Sequence, residues 1–483
     1  QTLSGWHLLM LGIGAIVGTG IYTLIGDAAG RAGPAVILSF AIAGAVCACA
    51  ALAYAELSTM MPASGSSYTY AYASMGELAA WIVGWALILE YTVVCSAVAV
   101  GWSGYAVGFI NEIGKAVGFA LPPELTAASG QLVGALVDGV FVPKTAFLDG
   151  LPPDGSEAVY GLFNAPAVFI IGVVAAMLLV GTKESATVNA VLVVVKLAAL
   201  AVFVALALPA FDASNFSPFM PYGFASHDAL VGDSHMTQGV MAAASIIFFA
   251  FYGFDAVSTA AEETKDPGRN LAFGIVGSLI ACTIIYMTVA AAALGALPHS
   301  TLAASSEPLA LVLRELGHPG IAVAVAGAAV IAVPTVILAF MFGQSRIFFV
   351  MARDGLLPRN LGVIDAKSGS PALMTIFTAI VCAAIAALLP LGQIAALANA
   401  GTLAAFIATG AALIILRRRE PARARPFRAP AGVIVGILTI LGCLYLFYSL
   451  PHQTQVNFFI WMAIGLPVYF LYGAWSSGLA RKP

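Results

Sequence analysis

Twelve stretches of this chain are each long and apolar enough to cross a lipid bilayer, and that pattern excludes most folds at once. A helix needs about 20 mainly apolar residues to cover the ~30 Å hydrocarbon core. The runs fall near 7–30, 35–61, 77–110, 165–181, 185–208, 237–261, 271–297, 320–351, 371–389, 391–416, 431–450 and 456–475. Only 9% of the 483 residues are charged, against roughly 25% in soluble domains. No segment between the runs is large enough for a soluble catalytic domain. The sequence therefore predicts an all-α membrane protein, one transmembrane domain over 1–483, and not an enzyme.

Charge orients the runs. With the amino terminus inside, Lys183, Lys265, Arg269, Arg346, Arg353, Arg359, Lys367, Arg417, Arg418, Arg419, Arg423, Arg425, Arg428, Arg481 and Lys482 fall on the cytoplasmic side. Only Arg31, Lys115, Lys144 and Arg314 fall outside, a positive-inside bias that places both termini in the cytoplasm of a plasma (inner) membrane protein. The 111–164 segment is then an external, acidic loop. The stretch "RRREPARARPFRAP" is cytoplasmic and faces anionic lipid. Glu56, six residues before Pro62, is expected near that interface as a solvated or paired carboxylate. The six cysteines lie in apolar runs without metal-binding spacing and read as small buried hydrophobes. The six histidines fall mainly in loops and carry no assignment. No cofactor, metal, nucleic acid or obligatory protein partner is expected. The chain begins at Gln1, so a short preceding piece is expected, and the opening residues show no cleavable signal pattern.

The first run contains "GIGAIVGTGIY", with Gly12, Gly14, Gly18 and Gly20 in nine positions. Each interior glycine costs a helix about 1 kcal/mol relative to alanine. Either these glycines form a packing face of the GxxxG kind, or the helix breaks around Gly18, Thr19 and Gly20. The sixth run is interrupted in the same way, with Gly253 and Asp255 inside "SIIFFAFYGFDAVSTAAEE". Runs one and six are five apart, as two inverted five-helix repeats require (7–208 and 237–416), leaving 431–475 as two accessory helices. A central loop as short as "ETKDPGRN" argues against a six-plus-six carrier. Unwound backbone is tolerated at that depth only where it lines a polar cavity. Amides after the first break suit a carboxylate. Carbonyls of Ile16, Phe249, Ala250 and Tyr252 suit an ammonium, so the pair of breaks fits an α-amino acid zwitterion.

These motifs, with "MPASGSSYTYAY", "LILEYTVVCSAVAVGWSGY", "NAVLVVVKLAAL" and "GQSRIFFVMARDGLLP", resemble the amino acid–polyamine–organocation superfamily over essentially the whole chain. The resemblance is greatest to the cationic amino acid transporters and their bacterial relatives. It implies a leucine-transporter-like fold of twelve helices and amino acid transport by alternating access, driven by protons or exchange. It also implies that the substrate carboxylate meets Gly18, Thr19 and Gly20, that its amino group meets carbonyls of Ile16, Phe249 and Tyr252, and that Phe249 or Phe251 gates the site. Pro334 departs from a regular eighth helix and should kink it.

Ionisable residues inside spans are functional candidates by default. Lys196 lies about eleven residues into the fifth run, or ~17 Å at 1.5 Å per residue, on the same face as Asn189. It is either the proton-coupling element or a static tether between helices. Glu90 is either a counter-charge for a cationic substrate, a proton holder, or a packed carboxyl. Asp255 either caps the second half of helix 6 or serves substrate and gate. Glu90, Asp255, Gly253, Phe340 and Met341 are expected around the substrate side chain, which would run from small neutral (alanine-like) to cationic (arginine or lysine). Bulk at Gly18 or Gly20 is expected to stop transport and spare the fold. An amino-acid/amine or polyamine exchanger is the same-class alternative, and an amino-acid sensor that transports nothing, or a channel, is the different-class one. The partners are thus the amino acid, protons and membrane lipid.

Overall fold

The structure, a computed structural model, describes residues 4–61, 66–147, 152–180, 186–231, 234–259, 264–363 and 372–476. The first run forms three pieces, α1 (Gly5–Ile16), α2 (Thr19–Tyr22) and α3 (Leu24–Ala32), and turns at Gly33 into α4 (Val36–Met60). The short α5 (Ser66–Met75) leads to the 38-residue α6 (Glu77–Gly114). After α7 (Ala165–Val180) and α8 (Ala186–Ala207), the sixth run is again in pieces. These are α9 (Val240–Ile247), a 3-10 turn at Phe248–Phe251, and α10 (Phe254–Thr259). Then come α11 (Pro267–Ala296), the short α12 (His299–Ala303) and α13 (Pro308–Glu315), α14 (Pro319–Ala332) and α15 (Pro334–Arg353). The remaining helices are α16 (Ala372–Leu388), α17 (Leu391–Arg419), α18 (Gly432–Ser449) and α19 (His452–Val468).

Among the described residues, eight helical segments are long and apolar enough to cross a membrane. Four more apolar helices, Gly5–Ile16, Ala165–Val180, Val240–Phe251 and Ala372–Leu388, are shorter. Two of those four are the stumps of the interrupted first and sixth runs. The interior is dense in alanine and glycine, the composition that lets helices approach closely in lipid.

The chain is not purely helical. The 111–164 segment, expected only as a loop, folds an antiparallel sheet from β1 (Leu132–Val137), β2 (Val140–Pro143) and β3 (Glu157–Tyr160), in the order β2-β1-β3. Its first turn is Asp138–Gly139, both at positive φ between paired Val137 and Val140, the two-residue hairpin signature. A second hairpin pairs β4 (His227–Val231) with β5 (Ser234–Gln238).

Pro334 does interrupt its helix, separating α14 from α15. Its missing N–H leaves the carbonyl of Val330 without the usual donor, and the Trp102 indole of α6 donates to that oxygen at 2.9 Å. Accessory α19 is tied to α6 by a reciprocal pair. Trp85 donates to the Trp461 carbonyl at 2.8 Å, Trp461 to that of Trp85 at 2.9 Å, and the rings stack 4.6 Å apart.

Of the two expectations for Glu56, the paired one holds: it is fully buried, and Arg417, Arg425 and the Ala429 amide of the basic stretch donate to it. Arg417 Nε and Arg425 Nε reach Glu56 Oε1 at 3.0 and 3.1 Å, while Arg417 Nη2 and the Ala429 amide reach Oε2 at 2.5 and 2.8 Å. A carboxylate in the interior needs such partners, and four donors supply them.

Candidate functional site

The two interrupted helices cross back to back. After α1, Val17 and Gly18 are extended (Gly18 φ −165°), and Thr23 leaves helical geometry again before α3. Gly20 packs directly on the backbone of Ala250, with no room for a Cβ. Gly253, at φ +108°, is where the sixth run turns, and a Cβ there would lie 2.7 Å from the carbonyl carbon of Ala15. Gly20 and Gly253 are therefore needed for the crossing itself. Gly18 is different, because its Cβ would meet only Val336 at an ordinary 3.5 Å and would point into a cavity. The expectation that bulk at either glycine spares the fold thus suits Gly18 and fails for Gly20.

Breaking a helix frees carbonyls that must be satisfied elsewhere. At the end of α1, the Ile13 carbonyl accepts from Val17 N at 2.9 Å. The Lys196 ammonium, 1% exposed, donates to the Gly14 carbonyl at 3.0 Å, one residue before the acceptors nearest the break. The Tyr286 hydroxyl of α11 donates to the Ile16 carbonyl at 2.7 Å. In the sixth run, one side chain does the same work. Asn399 Nδ2 of α17 donates to the carbonyls of Ser245 at 2.6 Å and Ile246 at 3.0 Å, while its Oδ1 accepts from the Tyr252 hydroxyl. Neither Tyr286 nor Asn399 was singled out by the sequence. An asparagine in the alanine-rich "LANAG" was the available signal.

The cavity left between the breaks is lined by Ala15, Ile16, Gly18, Thr19, Gly20, Val94, Val98, Phe249, Tyr252, Val336 and Phe340. Backbone amides of Thr19 and Gly20, in the first turn of α2, have no intrahelical acceptor. The same lining carries Val94 and Val98 of α6 and Val336 and Phe340 of α15, so polar backbone and branched or aromatic hydrocarbon share the cavity. The lining carries no charged side chain. Its free space is about 20 Å³, room for one water molecule, so anything larger enters only if the lining moves. Three aromatic residues line this space, Phe249, Tyr252 and Phe340, the rings of the first two lying 5.1 Å apart.

Other predicted residues lie around the cavity without lining it. Phe251 is fully buried against Phe40 and Tyr286, and Met341 is fully buried behind Phe340 in sequence. Ala250 backs onto Gly20, and Asp255 Oδ1 accepts from the Gly253 amide at 3.3 Å as a local cap. Glu90 lies one helical turn before Val94 on α6. It is 3% exposed, packed against Gly401, and its Oε2 has no hydrogen-bond partner. The side chain of Asn189 lies outside the described residues.

Comparison with known proteins follows the same lines. A sequence profile described as "Amino acid permease" matches residues 3–471. The chain is 41% identical over 479 residues to the branched-chain amino acid permease BcaP of Bacillus subtilis (strain 168), covering 99% of this chain and 94% of that one. It is 39% identical over 473 residues to the methylthioribose transporter of the same organism, with 98% and 93% covered. It is 31% identical over 428 residues to the vacuolar cationic amino acid transporter 4 of Arabidopsis thaliana, with 87% and 64% covered.

Proposed function

Because the chain belongs to the amino acid permease family, within the amino acid–polyamine–organocation superfamily, we propose that it is a secondary transporter of L-amino acids working by alternating access. It is a multi-pass membrane protein and a permease rather than an enzyme. In this reading the described helices belong to twelve spans with two inverted five-helix repeats, both termini are cytoplasmic, and the membrane is the plasma membrane.

The observation that carries the proposal is the cavity between the two breaks. Amides of Thr19 and Gly20 receive the α-carboxylate, and the carbonyls of Ile16 and Tyr252 receive the ammonium, Ile16 using the lone pair that Tyr286 leaves open. A zwitterion matches both sets. The apolar walls favour small neutral and branched aliphatic side chains, because burying them there gains roughly 25 cal/mol per Å². Glu90, ~6 Å beyond Val94 along α6, answers a longer cationic one. Phe249 swings with substrate entry. Proton coupling is assigned to Lys196, whose hydrogen bond to Gly14 fixes the stump of α1 beside the site.

Uptake by the purified protein in liposomes, with labelled leucine, alanine, arginine and methylthioribose, tests the proposal. Saturable uptake of leucine and alanine, weaker uptake of arginine and acceleration by an inward proton gradient are expected. Uptake of methylthioribose alone, or of nothing in the panel, would contradict it.

A further inference from the structure

Three glycines of α6, Gly101, Gly104 and Gly108, follow one another along the helix toward the side of the molecule that the proposed orientation makes external. Each receives a different neighbour. Gly101 packs against the Thr19 side chain beside the first break, Gly104 against Ser306, and Gly108 against the carboxyl group of Glu307. The 299–315 segment thus continues, layer by layer, the column that begins at the cavity. It also rests on α3, where a Cβ at Gly26 would lie 2.7 Å from the Leu302 carbonyl.

From this segment a line of hydrogen bonds runs inward. The Leu309 amide donates to the Tyr105 hydroxyl at 3.4 Å, and that hydroxyl donates to the Tyr22 carbonyl at 2.5 Å. The Tyr22 hydroxyl in turn donates to the Lys196 carbonyl at 2.8 Å, and the Lys196 ammonium reaches Gly14. The two ends of the line are the external segment and the stump of α1.

Glu307 sits where that segment meets α6. It is 9% exposed. Arg314, on the same helix, reaches Oε1, while Oε2 lies over Gly108 with no hydrogen-bond partner. An ionised oxygen buried without a donor costs far more than a neutral, protonated carboxyl does. We propose that Glu307 is an external proton-binding site that latches the 299–315 segment onto α6, and that Tyr105 and Tyr22 transmit the latch to Lys196. The proposal rests on the transporter reading and its orientation. It concerns a group distinct from Lys196, with its own readout.

The charged and titratable groups facing Glu307 are Arg314 on α13, and Tyr105 and Glu112 on α6, the last paired with Lys115 at 2.5 Å. Burial raises the Glu307 carboxyl above its ordinary 4.5, Arg314 opposes that rise, and Glu112 adds to it. A group whose value is raised in the docked state stabilises docking below its undocked value and loses that contribution as pH rises through the docked value. External acid therefore closes the segment and external alkali loosens it.

Leu309, fully buried under the segment, gives the test. In Leu309→Cys protein in liposomes, the rate of labelling by a membrane-impermeant thiol reagent is measured from external pH 5 to 8. The same measurement with Glu307→Gln added cancels the thiol's own ionisation. The ratio of rates, Glu307 intact over Glu307→Gln, should rise several-fold with pH. Arg314→Gln should move that rise to higher pH. Tyr105→Phe should keep the labelling response and remove the dependence of leucine uptake on external pH at fixed internal pH. A ratio that stays flat from pH 5 to 8, or one that Arg314→Gln leaves in place, overturns the proposal. Labelling needs no transport, so a protein that carries none of the tested substrates would still give its answer.

Discussion

The ammonium nitrogen of Lys196 lies 3.0 Å from the carbonyl oxygen of Gly14, two residues before α1 ends. A residue of α8 thereby holds the last turn of a helix whose next residues line the cavity. Protonation gives the ammonium its full set of donors, and proton loss weakens its hold on that carbonyl. In the proposed coupling, this one contact links proton binding to the position of α1.

Lys196→Gln keeps a donor of similar reach and removes the titration. Leucine counterflow without a gradient should survive, and acceleration by an inward proton gradient should vanish. Unchanged acceleration in that variant would reduce Lys196 to a tether between α8 and α1.

Asn399→Ala should be more damaging than its burial in an alanine-rich helix suggests. It leaves the carbonyls of Ser245 and Ile246 and the Tyr252 hydroxyl without their partner, and an unsatisfied buried polar group costs about 1–3 kcal/mol. Thermal melting in detergent should show a clear loss of stability, and leucine uptake should fall with it because Tyr252 borders the cavity. Melting and uptake equal to the parent would remove Asn399 from the account.

Glu56→Ala should destabilise through charge rather than volume. It strands Arg417 and Arg425, both largely buried, and breaking a buried pair by removing one partner costs about 3–5 kcal/mol. Because the cluster is shielded from solvent, the loss should persist at high salt. A loss of stability that disappears in 1 M salt would mean that solvent reaches these charges.

Much of this architecture is legible in the residues. The apolar runs mark the helices, the glycines mark both breaks, and Lys196 is conspicuous as a charge at depth. The remainder depends on distance in space. Nothing in the sequence says that Tyr286 reaches Ile16 from 270 positions away, or that Trp102 covers the carbonyl bared by Pro334. Glu56 looks interfacial by its position, yet the folding of the 417–430 stretch over it is a tertiary event. The Asp138–Gly139 turn was readable, since a two-residue Asp-Gly loop between valines is a strong hairpin signal. The difference between Gly18 and Gly20 was not, because both glycines look alike until the neighbour of each is known.

That difference supplies the most direct test of the claim that the cavity at the first break holds the amino acid. Gly18→Val places its side chain in the cavity, while Gly20→Ala drives a methyl group into Ala250, an overpacking that costs about 1–3 kcal/mol. The measurement is thermal melting of parent, Gly18→Val and Gly20→Ala protein with and without saturating leucine, alongside leucine uptake into liposomes. The account predicts that Gly18→Val melts like the parent without ligand, gains no stability from leucine and shows no saturable uptake, whereas Gly20→Ala melts earlier. Leucine stabilisation and uptake at parental levels in Gly18→Val would contradict it.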